Sequence, residues 1–419
     1  MKRSDLEIMA PAGSWEALRA AIRGGADSVY FGVGKMNMRA RSSHHFSTAD
    51  MPEIAGLCRE HGLKSYLTLN IVLYDEETAE MKEILSAASD AGVTAVIATD
   101  QAAILAAREA GLEVHLSTQL NISNAGTLKF YSRWADVAVL SRELNLQQVS
   151  KIHESIVTDD IRGPGGELMK LEVFVHGALC MAISGKCYLS LHEYNASANR
   201  GDCYQTCRRG YTVRDRESGY ELDIDNQYIM SPKDLCTISF LDQIIDAGPR
   251  VFKIEGRARP PEYVETVSRC YSEAAAAVAD GTFGQEKVAA WMGRLETVFN
   301  RGFWDGYYLG QRLGEWTTTY GSAATKRKIL LGKVTNYFAK PGVAEIKLET
   351  ADLNIGDELI ITGPTTGLVR QSVTELRESS GNAVTTVSRG ELCSIKTAEP
   401  VRRSDKVFRW VDASMVRKD

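Results

Sequence analysis

The feature that most restricts the fold is an alternation that runs through roughly the first 260 residues: short apolar, often β-branched runs, each followed by a longer segment with helical apolar spacing. The runs are 7–10, 28–31, 64–69, 95–99, 113–116, 137–140, 172–176 and 251–254, eight in all. Helical spacing fills 15–23, 51–61, 77–91, 101–110, 125–134 and 146–153, with Gly24, Gly62, Gly92 and Gly111 placed to end helices in a left-handed turn. Eight parallel strands with right-handed helical crossovers close most economically as a TIM-like (β/α)8 barrel, an α/β fold in which every strand is covered; a doubly wound open sheet is the alternative.

Strands seven and eight are about 75 residues apart, far more than one βα connection requires. The sequence therefore places a Cys-rich insertion after strand 7, over about Gly177–Asn226, with a helix from about Asp234 to Ala247 resuming the barrel. A helix over 261–280 follows, and the pattern weakens through the aromatic and Gly-rich stretch 299–320. The boundary is set near Thr325, giving a barrel domain over 1–325 and a second domain over 326–419. In the second domain the apolar period becomes two, over 330–334, 343–348, 358–362, 367–376, 384–387 and 406–408, which reads as a small β-barrel.

Hydrophobic residues make up 44% and charged residues 25% of the chain, which excludes a disordered or collagen-like protein. The net charge of −5 gives no bulk attraction to phosphates or acidic lipid, so any nucleic-acid contact must come from a local basic patch. The first residues carry no apolar leader and no 18-residue apolar run occurs, so a cytoplasmic location without a membrane partner is expected. In that compartment eight cysteines do not make a disulfide framework, and their spacing becomes the informative quantity.

Four of them form Cys180-x6-Cys187-x15-Cys203-x3-Cys207 within the insertion. Four thiolates from one loop-rich segment suit a soft metal or an iron–sulfur cluster; the absence of Cys-x2-Cys knuckles favours a cluster over zinc, and spacing alone leaves both open. Cys236 is a fifth candidate whose plainer reading is a buried helix cysteine, and Cys58, Cys270 and Cys393 read as core residues.

Active sites of a TIM-like barrel are built at the C-terminal ends of its strands. Reading each strand to its end yields Asn70, Asp100, Gln119, Arg142 with Glu143, His176, and Glu255 with Arg257. His176 precedes the insertion and is a candidate proton donor, with a histidine bonded to its own loop as the plainer reading. Arg142 and Arg257 suit bidentate recognition of a carboxylate, unless Glu143 and Glu255 already pair with them. Ser14 in Pro11-Ala12-Gly13-Ser14 is placed to cap the first helix. Arg200, Arg208, Arg209 and Tyr211, with Lys326-Arg327-Lys328 further on, interleave guanidinium and aromatic planes as single-stranded RNA binders do, although a solvated face is the commoner use of such residues.

Six segments together resemble the peptidase U32 family: Leu6-Glu7-Ile8-Met9-Ala10-Pro11-Ala12-Gly13, Gly25-Ala26-Asp27-Ser28-Val29-Tyr30-Phe31-Gly32, His115-Leu116-Ser117-Thr118-Gln119, Val139-Leu140-Ser141-Arg142-Glu143-Leu144, Phe174-Val175-His176-Gly177-Ala178-Leu179-Cys180 and Lys253-Ile254-Glu255-Gly256-Arg257. The resemblance runs from about Leu6 to Leu309. Members with this pattern are similar to oxygen-independent hydroxylases of tRNA uridine, of 23S rRNA cytidine and of the ubiquinone pathway. The resemblance implies a [4Fe–4S] cluster on Cys180, Cys187, Cys203 and Cys207, prephenate as the small-molecule oxygen donor, and tRNA as partner with rRNA as the alternative. In the ubiquinone-pathway relatives a distant cysteine can replace the last of the four, which keeps Cys236 open as a substitute and leaves room for a homologous partner subunit. The intact Cys-x3-Cys pair and the C-terminal β domain favour the RNA branch, and tRNA wobble 5-hydroxyuridine formation within it. The rivals are a collagenase-like peptidase using Cys180 with His176, and a non-enzymatic RNA-binding module; neither a Gly-x-Ser-x-Gly elbow nor a His-Glu-x-x-His helix occurs.

Overall fold

The computed structural model describes residues 1–41, 46–214, 216–219, 221–222, 230–311, 314–319 and 321–416. The far end of the expected insertion, Asn226, lies outside the described residues. Eight parallel strands form the barrel: β1 (Glu7–Pro11), β2 (Ser28–Phe31), β3 (Lys64–Leu69), β4 (Ala95–Ala98), β5 (Glu113–Leu116), β6 (Val137–Val139), β7 (Lys170–Gly177) and β8 (Val251–Ile254). Each pairs with the next, and β8 pairs with both β7 and β1, with Val251 opposite Glu172 and Glu7, so the sheet is closed.

Helices α1 (Trp15–Arg23), α2 (Met51–Glu60), α3 (Thr78–Ala91), α4 (Gln101–Glu109), α5 (Ala125–Tyr131) and α6 (Leu146–Thr158) cover the outside. Ser14 caps α1 by accepting a hydrogen bond from the Ala17 N–H at 3.2 Å. The left-handed turns expected at Gly62, Gly92 and Gly111 are present, whereas the one expected at Gly24 falls on Gly25, at φ 72°. The main core lies between the strands and the helices, while a smaller one fills the barrel itself with Met9, Tyr30, Tyr66, Ala95, Ile97, Val137 and Val251.

The return from the insertion differs from the expected helix over 234–247. Asp234–Cys236 is a short strand running antiparallel to β7, with Leu235 opposite Gly177 and Cys236 opposite His176. With Leu189–Tyr194 of the insertion as α7, the return is helical only in a 3-10 turn at Ile238–Phe240 and in α8 (Leu241–Asp246), because Leu235 and Cys236 pair with β7 before the chain turns. Helices α9 (Pro261–Ala279) and α10 (Gln285–Leu295) complete this part.

From Lys326 the chain forms a seven-stranded antiparallel sheet: β9 (Lys326–Phe338), β10 (Val343–Leu348), β11 (Glu358–Gly363), β12 (Gly367–Ser372), β13 (Leu376–Glu378), β14 (Leu392–Lys396) and β15 (Lys406–Asp412). The order is β12-β11-β15-β9-β10-β14-β13, and its inward residues, among them Leu331, Ile346, Ile361, Ile395 and Val407, share one core. Arg19 Nε donates to the Pro364 carbonyl at 2.8 Å, and Arg370 donates to the Glu262 carbonyl and the Thr266 hydroxyl at 3.2 Å each, tying the sheet to α1 and α9.

Candidate active site at the barrel mouth

Inward strand positions build the site from below. On β7 and β8 the alternating residues Glu172 and Lys253 point into the barrel, where Lys253 Nζ donates to Glu172 Oε1 at 2.7 Å and His115 Nδ1 lies 3.1 Å from Oε2. Burial alone would raise the Glu172 carboxyl, but Lys253 and His115 outweigh it and hold it below the usual range. Burial also opposes charge on His115, yet its contacts with Glu113 and Glu172 lift it to about 9. The barrel axis therefore carries paired charges, with the Lys253 ammonium 4.8 Å from the Tyr30 ring centre at the floor of a cavity.

The cavity walls come from strand ends. Glu255, just past β8, accepts from Arg39 Nε at 3.0 Å and from its Nη2 at 2.5 Å, with the Tyr30 hydroxyl 3.4 Å away. Although burial pushes its pKa upward, Arg39, Arg142 and Arg257 draw it down to about 2, so it is a carboxylate throughout the physiological range. Arg257 is buried, donates to Thr68 Oγ1 at 2.7 Å, and is lowered by burial to about 10, still cationic at neutral pH. The Arg142 guanidinium lies 3.9 Å over the Phe174 ring and donates to the Ala178 carbonyl at 3.2 Å. Its Nε is buried and has no hydrogen-bond acceptor among the described residues. Asn70 and Gln119 lock each other, Asn70 Nδ2 donating to Gln119 Oε1 at 3.2 Å and Gln119 Nε2 to the Asn70 carbonyl at 2.7 Å.

The insertion roofs this space. Cys180, Cys187, Cys203 and Cys207 all border the same cavity as Arg142, Glu255 and Arg257. Burial is the main cause that raises the Cys187 and Cys207 thiols, and the neighbouring cysteines add to it. Among the described residues no three His, Cys, Asp or Glu side chains converge on one point as ligands of a single ion. Four thiols bordering one cavity are the donor chemistry that an iron–sulfur cluster takes.

The residues singled out for RNA hold that roof in place. Arg200 grips Glu77 at 2.7 and 3.0 Å and lies 3.7 Å over Tyr74. Arg208 donates to Ser231 Oγ at 3.0 Å and to the Pro232 carbonyl at 2.9 Å, Arg209 to Glu193 at 2.6 Å, and the Tyr211 hydroxyl to the Thr206 carbonyl at 2.7 Å. Lys326 pairs with Asp412 at 3.2 Å and Lys328 with Glu262 at 2.9 Å.

Four further candidates stand outside the lining of the cavity, and one bulge accounts for the first. Strand parity from Glu172 and Phe174 would aim His176 inward, but the β7 register shifts so that Lys253 faces Phe174 while Ile254 faces His176. The extra residue turns His176 to the outer face, where it packs against Tyr263, Tyr271 and Phe303. Burial lowers it to about 3, so it is neutral at physiological pH and not an imidazolium acid. Cys236 is buried beside it, 3.8 Å from the Met292 sulfur, with a thiol pushed up to about 12 by burial. Asp100 caps α4 through the Ala102 N–H at 2.9 Å, and Glu143 accepts from the Ser141 hydroxyl beside the cavity.

Sequence reasoning passed over Arg39, Lys253 and Tyr30. Lys253 was visible in principle as a charge inside the apolar run Val-Phe-Lys-Ile, whereas Arg39 lies in a non-periodic connection between β2 and α2 that carries no such signal.

Comparison with known proteins adds what geometry does not. The profile of peptidase family U32 matches residues 13–318. A protein of Porphyromonas gingivalis named collagenase is 60% identical over 98% of this chain and 99% of its own length. A 23S rRNA 5-hydroxycytidine synthase of Escherichia coli is 35% identical over 74% of this chain but only 46% of its own length. The tRNA hydroxylation protein P1 of Bacillus subtilis is 29% identical over 90% of this chain and 88% of its own.

Proposed function

Because the chain belongs to peptidase family U32, and its relatives include proteins that hydroxylate RNA, we propose that it is an oxygen-independent RNA hydroxylase that forms 5-hydroxyuridine at the tRNA wobble position. The observation that carries this reading is the meeting of four thiols with Arg142 and Arg257 around one cavity at the barrel mouth. Cys180, Cys187, Cys203 and Cys207 are the residues that would hold a [4Fe–4S] cluster. When bound, such a cluster supplies a Lewis-acidic, redox-active iron site.

The chain's own groups set the rest. Arg257 and the unpaired Nε of Arg142 suit the carboxylates of a small dicarboxylic donor such as prephenate, which planar guanidinium groups bind in pairs of hydrogen bonds. Glu255 stays ionised and keeps Arg39 against the cavity wall, so it does not serve as an acid. The Asn70–Gln119 pair gives a fixed polar edge along the cavity. An anticodon-loop pyrimidine enters such a pocket at low unstacking cost. Nearly end-to-end correspondence with the tRNA-linked relative, against half of the rRNA-linked one, supports tRNA as the substrate.

The name of the 60% identical relative favours a second reading, a peptidase. A cysteine nucleophile needs a base within hydrogen-bond reach, and no histidine is among the described residues lining the cavity; His176 is neutral on the other face of β7. Mass spectrometry of nucleosides from tRNA and 23S rRNA of cells with and without the gene separates the readings. Loss of 5-hydroxyuridine from tRNA is the expected result, loss of a hydroxycytidine from rRNA would move the substrate, and unchanged pools together with alkylation-sensitive gelatin hydrolysis by the purified protein would replace the hydroxylase with the peptidase.

A further inference from the structure

A second concavity lies where the barrel meets the C-terminal sheet. Its lining includes Arg41, Arg257, Arg259, Lys328, Lys406 and Phe408, and among the described lining residues Glu16 is the only acidic one. Lys328 is spoken for by Glu262 at 2.9 Å, and Arg259 lies 3.6 Å from Asp234 and 3.6 Å over the Phe299 ring. Arg41 and Lys406 are exposed, and among the described residues neither has a carboxylate within ion-pair distance. With Lys328 and Arg259 paired and the Arg257 guanidinium turned to Thr68, Arg41 and Lys406 remain against Glu16 and leave a local positive potential in a chain whose net charge is −5.

The cleft adjoins the site described above. Arg257 lines both the cleft and the thiol cavity. Ala258 and Arg259 line both the cleft and a third depression that reaches Cys180, Cys203 and Cys207. A polyanion lying between the two domains is thereby led to the cavity mouth. The cleft also offers a flat surface, since Phe408 is half-buried on its wall.

We propose that this cleft holds the phosphate backbone of single-stranded RNA next to the nucleotide that enters the thiol cavity. The inference rests on the RNA reading above and gives it a location that differs from the basic residues of the insertion. Arg41 and Lys406 meet phosphates, while Phe408 receives a neighbouring base. An acidic polypeptide shares the charge but makes no use of the flat face, so RNA is the occupant the lining favours.

The test is fluorescence anisotropy with the full chain and a short labelled RNA stem–loop, titrated over a range of salt. Arg41→Gln combined with Lys406→Gln changes two exposed side chains, so a thermal melt should be unaffected, and Lys82→Gln on α3 serves as a control outside the cleft. The double variant is expected to bind about tenfold more weakly, with a log–log salt dependence shallower by ~1.4 for two lost single-strand phosphate contacts. Tight binding by the wild type with no change in the double variant overturns the cleft and leaves the RNA reading standing. No binding by the wild type at micromolar concentration overturns both. Competition by polyglutamate as effective as that of RNA of equal charge overturns RNA as the occupant in favour of an acidic peptide.

Discussion

Glu255 is the only carboxylate among the described residues lining the thiol cavity, and it faces Arg39, Arg142 and Arg257. Its pKa in the folded chain lies near 2, against an ordinary 4.5. At about 1.4 kcal/mol per pH unit, that depression is a contribution of about 3 kcal/mol to stability. Because the folded value is below the unfolded one, the contribution is complete above pH 4.5 and is lost as pH falls toward 2. Glu255→Gln should therefore lower the unfolding free energy by about 3 kcal/mol at neutral pH, with the gap to wild type closing in acid. Urea unfolding followed by tryptophan fluorescence at neutral and acidic pH reads this directly, since Trp304 is buried in the main core. The variant also leaves its arginines without a counter-charge, so malonate should raise its melting temperature more than it raises that of wild type. A deficit under ~1 kcal/mol at neutral pH, or one that does not change with pH, would refute the argument that these arginines hold Glu255 ionised.

Three further outcomes follow from particular contacts. Cys180→Ala or Cys187→Ala should remove the roughly 400 nm absorbance of anaerobically purified protein if thiolates hold iron; an unchanged spectrum would dismiss these ligands. His115, raised from 6.5 to about 9 by Glu113 and Glu172 against the effect of burial, contributes stability that is complete below pH 6.5 and is lost as pH rises through about 9. His115→Gln should flatten the alkaline decline in melting temperature, and an identical decline in both proteins would contradict that assignment. At Gly13 a Cβ would stand 1.7 Å from the Arg257 carbonyl oxygen, so Gly13→Ala should cost roughly 2 kcal/mol by overpacking and weaken dicarboxylate binding by calorimetry; a neutral effect on both would show that the Arg257 backbone yields freely.

The barrel was legible because its strands announce themselves by composition and its helices by period. The run Ser28–Phe31 is bounded by Gly-Ala-Asp and Gly, and Lys64–Leu69 by Gly-Leu and Asn, so even the ends were readable. Where local and tertiary preferences diverge, the reading failed. Asp234–Cys236 has weak propensity of its own and becomes a strand only because an edge of β7 is available to it. Of the strand Leu392–Lys396 only the position of Cys393 was read as strand, without bounds, because Cys and Ser at its centre blur an alternation that the packing of Cys393 and Ile395 makes plain. For the site, reading each strand to its end singled out Glu255 and Arg257, which border the same cavity as the four cysteines. The same reading put His176 at the barrel mouth, but one extra residue in β7 turns it to the outer face. The arginines of the insertion looked like free cations in sequence, and only the fold reveals that Arg200 and Arg209 are already paired with glutamates.

The short strand that closes the insertion has a consequence for how this chain can change over time. Gly177 and Leu235 are rungs of the same ladder, so the segment between them leaves the barrel and returns to it at one place. Its ends are fixed by backbone hydrogen bonds that do not depend on its contents, and doubling the length of such a closed segment costs only ~0.6 kcal/mol in chain entropy. The thiol-bearing stretch is thus an exchangeable cassette: it can lengthen or shorten at little cost to barrel assembly. A single scaffold of this design can therefore trade one substrate for another by redrawing its roof while the charged axis beneath stays untouched.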